Sequence, residues 1–189
     1  MDFKAQLNWL FYEVFMLIIR PQKFWKTKLH EGFRKNAFAL IFVPCLLLLF
    51  VSVISGKFLF LSEFDFYSAA VEALRVILIL LFSLFGAIFI INKLAISYKG
   101  NNSPKMLKTI LIYCFVPYLL AHIVAAFTQV AEFQVAGLYG LYLFVVSAQY
   151  FMGIPEKKQS KFISLAVLLL LLIIFLVSFI ISNLFDSIF

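Results

Sequence analysis

Residues 104–128 read PKMLKTILIYCFVPYLLAHIVAAFT and residues 134–153 read QVAGLYGLYLFVVSAQYFMG, with the short link QVAEF at 129–133 between them. Each run is apolar and long enough for an α-helix to cross a hydrocarbon core of about 30 Å. The polar turn from Thr128 to Gln134 is so short that the two must fold back as antiparallel neighbours. This hairpin is expected to hold nearly all the polar groups that could sit at membrane depth.

The composition agrees with a membrane protein. A chain of 189 residues that is 65% hydrophobic, with mean hydropathy +1.06, carries more apolar surface than one soluble core could bury. Lipid must cover the excess. In lipid the backbone has to satisfy itself within helices or a closed barrel, and the unbroken apolar runs lack the two-residue alternation of barrel strands. The expectation is a single all-α domain, a polytopic helical bundle with five spans near 36–55, 73–91, 105–128, 134–153 and 161–185. The last, almost pure Leu, Ile, Val and Phe, fits a lipid-exposed outer helix.

A net charge of +7 could suit nucleic acid, but the cations are dispersed among loops, so no nucleic-acid partner is expected. Membrane topology accounts for them better. Lys4, Arg20, Lys23, Lys26, Lys28, Arg34 and Lys35 precede the first span. Lys93, Lys99, Lys105 and Lys108 separate the second from the third, and Lys157, Lys158 and Lys161 separate the fourth from the fifth. Lys57 and Arg75 remain for the other side, along with Glu63, Asp65, Glu72, Glu132 and Asp186. Positive loops stay inside, which sets a cytoplasmic amino terminus and an external carboxyl terminus.

Ahead of the spans, Asp2, Gln6, Glu13 and Arg20 share one stripe of a helix over residues 2–20, and apolar residues cover much of the rest. This pattern predicts an amphipathic interfacial helix lying on the inner leaflet. A cleaved signal peptide fits less well, because an acid interrupts the apolar stretch, no small-residue cleavage site follows, and a basic segment does. In that segment Arg20, Lys23, Trp25, Lys26 and Lys28 mix cations with an aromatic, a composition suited to anionic headgroups. Between the first two spans, Gly56 to Glu72 forms the longest external connection, its aromatic residues dipping into the interface. Asn101-Asn102-Ser103-Pro104 is a turn that starts the third span.

Polar candidates concentrate in the hairpin. Tyr118, His122, Ala125, Gln129 and Glu132 share one side of the third span, a stripe expected to face protein or water. In the fourth, Ala136, Gly137, Gly140, Ser147 and Ala148 form a small-residue face suited to close helix packing, and Tyr139, Tyr142 and Gln149 lie opposite. Antiparallel register places His122 near the depth of Tyr139 and Gly140, where it is expected to meet the fourth span. A lone histidine at such a depth is more often a hydrogen-bonded packing residue than a proton carrier. Pro44 and Pro117 each remove a backbone hydrogen bond at mid-depth, and a hinge and a static kink look alike in sequence.

No catalytic constellation emerges, and no metal or cofactor is expected. Cys45 and Cys114 lie inside apolar runs, where a thiol acts as a small hydrophobe, and with His30 and His122 they form no ligand set at zinc-like spacing. There is no phosphate-binding Gly-rich loop, no Gly-x-Ser-x-Gly elbow and no His-Glu-x-x-His. Two function classes lead, with a membrane enzyme third because no nucleophile and base can be paired. One is a non-enzymatic scaffold or membrane-organising component that acts through helix packing and lipid contact, with other membrane proteins or further copies of itself as possible partners. The other is a small transporter or channel with a polar path between the third and fourth spans.

The residues also resemble a known family. Pro21 and Phe24-Trp25 in a basic aromatic segment, Tyr113-Cys-Phe-Val-Pro117-Tyr118, and Gly137-Leu-Tyr-Gly-Leu-Tyr142 leading to Gly153-Ile-Pro-Glu-Lys-Lys158 are similar to the Yip family, the Ypt/Rab-interacting membrane proteins. The resemblance implies five spans, a cytoplasmic amino terminus and a trafficking-type role. Eukaryotic members associate with small GTPases, usually through a longer hydrophilic region with an acidic Leu-Tyr-Gly-Pro pattern. Here the stretch before the first span ends near Lys35 without that pattern, so GTPase binding is not expected. The chain looks more like the short bacterial members, which implies the bacterial inner membrane.

Overall fold

The computed structural model describes residues 3–33, 36–60, 64–100 and 103–188, with side chains from Asn8 onward. Asp2, Arg34, Lys35, Glu63, Asn101 and Asn102, and the side chains of Lys4 and Gln6, lie outside the described residues. Helix follows helix: α1 (Phe3–Ile19), α2 (Pro21–Glu31), a π-helical turn (Phe38–Phe42) running into α3 (Val43–Phe60), α4 (Phe66–Ser97), α5 (Pro104–Thr128), a 3-10 stretch (Ala131–Leu138) continuing as α6 (Tyr139–Phe151), and α7 (Glu156–Ile188). Five lengths of it, Phe38–Phe60, Phe66–Ser97, Pro104–Thr128, Ala131–Phe151 and Glu156–Ile188, are long and apolar enough to cross a bilayer. The protein is an all-α, multi-pass integral membrane protein.

Local chemistry sets the boundaries. Pro21 ends α1 and opens α2, because a proline without an N–H fits the first helical turn. Asp65 caps α4, accepting from the Tyr67 and Ser68 amides at 3.2 and 2.8 Å, and Ser103 caps α5 by accepting from the Met106 amide at 3.2 Å. Gln129, left-handed at φ 57°, turns the chain back. The expected loop from Gly56 to Glu72 is corrected: α3 runs on to Phe60 and α4 starts at Phe66. Aromatic residues in that stretch continue the helices, and the Asp65 cap fixes the second start. Pro44 is displaced as well. It follows the π turn near one end of its crossing rather than at mid-depth, so the widened turn sits where a proline lacks the N–H that would reach back to Leu40.

At the centre stands α5, with 67% of its apolar stretch buried against 17% for α7, which packs along α4 and faces outward. Three glycines let the backbones around α5 close up. A Cβ on Gly56 would overlap the Ala126 carbonyl oxygen, one on Gly140 would overlap that of Cys114, and one on Gly137 would come within 2.6 Å of the Tyr118 ring. Lysine-rich connections gather at one end of the bundle, where Tyr98 packs edge-on against Phe162 at 5.7 Å. At the other end Arg75 meets Glu72 at 2.6 Å and Asp186 at 3.4 Å.

Candidate functional site

α1 and α2 form a hairpin docked on α5 and α6, and a charged pair is sealed beneath it. Glu13 and Lys28 are 6% and 8% exposed, and Lys28 Nζ lies 2.6 Å from Glu13 Oε1. From α5, the Tyr113 hydroxyl donates to Glu13 Oε2 at 3.2 Å. Both carboxylate oxygens are thus engaged, which an acid in so dry a place requires. Aromatic rings close over the pair. Trp25, fully buried, meets Phe24 at 5.1 Å, Phe151 at 5.8 Å and Tyr113 at 6.2 Å, and Lys28 Nζ stands 5.4 Å from the centre of the Phe24 ring. The indole N–H has no acceptor among the described residues.

This cluster changes how the amino-terminal segment is placed. Of the polar stripe expected on α1, Glu13 points inward and Arg20 follows the helix, while Phe11, Phe15 and Ile19 stay exposed. At the far end of α1 the Ile18 carbonyl accepts from the Tyr139 hydroxyl at 2.8 Å, and Ile18 borders a groove with Pro117, Leu120 and Val124. At 1.5 Å per residue, Pro117 and Leu120 lie about 20–24 Å along α5 from Pro104, near its middle. The end of α1 therefore packs alongside the middle of α5 and not beside its start. Of the expected headgroup contacts, Arg20, Lys23 and Lys26 are exposed, whereas Trp25 and Lys28 are buried and cannot touch headgroups. Glu13 and the aromatic cluster hold them inward. Sequence inspection missed this, although an acid inside an apolar stretch, with a lysine on the following helix, was the signal available.

The polar groups of the third and fourth spans meet at a different level from the one expected. His122 Nδ1 bonds the Tyr118 carbonyl at 2.9 Å, and its ring lies 4.4 Å from that of Tyr118. His122 meets the fourth span at its start rather than at Tyr139 and Gly140, bordering a mouth of about 220 Å³ with Lys57, Glu72, Gln129 and Gln134. The register explains the difference. The chain reverses at Gln129 and returns from Ala131, so Gly137 lies against Tyr118 and Gly140 against Cys114, a full turn or more from His122.

Along the 3-10 stretch and α6 the small face with Gly137, Gly140 and buried Ser147 and Ala148 turns inward, and Ser147 Oγ comes within 3.9 Å of Cys114 Sγ. Ala136 is exposed at the start of this run. Since Gly137 and Gly140 take up the side facing α5, the opposite face with Tyr142 and Gln149 is exposed, and Tyr139 turns to Ile18. Tyr139 and Tyr142 lie 5.3 Å apart, and Glu132 is exposed beyond the hairpin turn. Deeper along the seam Gly137 and Gly140 bring the two helices into contact, and the polar groups gather at the mouth instead. The small cavity at that seam, about 70 Å³, is lined by groups such as Leu111, Phe144 and Leu170. Pro117 is buried within α5.

Five crossings around a central third helix, with a hairpin held by a buried ion pair, define a polytopic helical membrane protein rather than a soluble module. Residues 15–179 match the model of the Yip1 domain, and the chain belongs to the Yip family. No curated protein and no solved structure matches it.

Proposed function

We propose that this protein is a non-enzymatic membrane-organising component whose α1–α2 hairpin occupies one leaflet as a wedge. The docked hairpin is the observation that carries this: Glu13, Lys28 and Tyr113 fix it against α5, and Phe11 and Phe15, 67% and 58% exposed, are left to lipid. A wedge on one side of the bundle, with no counterpart at the other end among the described residues, takes up area in one leaflet and favours curvature toward the other. The positive-inside bias supports a cytoplasmic location for the hairpin and amino terminus, with the carboxyl terminus outside. Resemblance to short bacterial members supports the bacterial inner membrane as its site. Membrane lipids are the primary partners, with self-association or other membrane proteins along the exposed flank of α7.

Transport is the weaker alternative, because the Gly137 and Gly140 contacts close the α5–α6 seam. Reconstitution of the full chain in liposomes tests both. The expected result is smaller or tubulated vesicles as protein is added, lost in Phe11→Ser/Phe15→Ser with an unchanged melting temperature. Unaltered vesicles, or solute flux that disappears in His122→Ala, would overturn it.

A further inference from the structure

The basic end of the bundle holds a second feature, independent of the hairpin. A groove of about 710 Å³ opens between the start of α5 and the π turn before α3, with Lys105, Lys108 and Asn36 at its lip and Phe38, Met106 and Ile112 among its walls. Both lysines are exposed, three residues apart on one face of α5, and neither pairs with a carboxylate among the described residues. Lys108 Nζ stands 5.6 Å from the centre of the Phe38 ring, so one ammonium is held over the apolar wall.

Two cations in the opening turns of a helix oppose its dipole, whose positive end is there already. Such an arrangement is unfavourable on its own and becomes favourable when an anion sits between the lysines and the helix start. The walls then narrow the choice of anion. An apolar flank continuous with the spans suits a molecule with a charged head and a hydrocarbon tail, and the surrounding leaflet supplies one at high local concentration. Basic pockets between crossing helices suit anionic headgroups.

We propose that this groove binds an anionic glycerophospholipid, its phosphate between Lys105 and Lys108, its glycerol near the Asn36 amide and an acyl chain along Phe38 and Ile112. The full-length protein, purified in mild detergent and exchanged into nanodiscs containing phosphatidylglycerol and phosphatidylcholine, tests it by native mass spectrometry of retained lipid. Wild type is expected to retain phosphatidylglycerol over phosphatidylcholine, and Lys105→Gln/Lys108→Gln to retain at least fivefold less. Lys157→Gln/Lys158→Gln removes the same charge from exposed positions at the start of α7 and is expected to change nothing. Lys105→Arg/Lys108→Arg is expected to retain the lipid, which separates lost charge from lost folding. Excess inorganic phosphate is expected not to displace it. An equal loss in the Lys157/Lys158 variant, wild-type retention by the glutamine variant, loss in the arginine variant, displacement by phosphate, or no lipid preference in wild type would each overturn the proposal.

Discussion

Two polar sites flank α5 at different heights, and they are built on opposite principles. Near Tyr113, one acid and one lysine are sealed from solvent and fully engaged, with rings packed over them. Toward its other end, His122 and Gln129 border an open mouth, and the neighbouring Arg75 pairs with Glu72 and Asp186 while all three side chains keep 27% or more of their surface exposed. Charges without access to water must be matched one to one, whereas charges at a wet rim can exchange partners at little cost. The sealed site therefore ties the amino-terminal hairpin to α5, and the open one is expected to add little to stability.

Removing one sealed partner should break the comparison most visibly. Lys28→Met leaves Glu13 buried without a counter-charge, and the purified protein is expected to lose about 3–5 kcal/mol in denaturation. Replacing both, as Glu13→Leu/Lys28→Met, is expected to recover most of that loss, since an apolar pair needs no matching. A double variant as unstable as the single one would show that the pair does more than cancel its own charges. Gly140→Ala drives a methyl into the Cys114 carbonyl, where backbone cannot yield, and is expected to cost about 1–3 kcal/mol by the same measurement. Gly137→Ala meets the Tyr118 ring at 2.6 Å and its Cα at 3.1 Å, a looser overlap than at Gly140, so its cost should be smaller.

Finer effects sharpen the contrast. Tyr113→Phe deletes the hydrogen bond to the buried Glu13 carboxylate and is expected to cost about 1.5–3 kcal/mol, less than Lys28→Met. At the open rim Arg75→Ala should shift stability by about 0–1 kcal/mol, and any shift should shrink as salt is raised. A rim variant that cost more than Lys28→Met would invert the assignment of the two sites.

From the residues alone came the class of molecule, five crossings and the family resemblance, because long apolar runs and lysine-rich loops carry that information in linear order. Capping residues such as Ser103 and small faces such as Gly137 with Gly140 were also legible, since each acts within its own helix or on its nearest neighbour. Register and depth were not. A slightly earlier return at Gln129 set Gly137 and Gly140 against Tyr118 and Cys114 and left His122 beside Gln134. Glu13, Lys28 and Tyr113 could not be joined in advance, because three distant parts of the chain meet only after α1 and α2 fold against α5. Hydropathy shows which segments lipid accepts, but side-chain pairing depends on how helices lean and rotate against one another, and only their packing decides that.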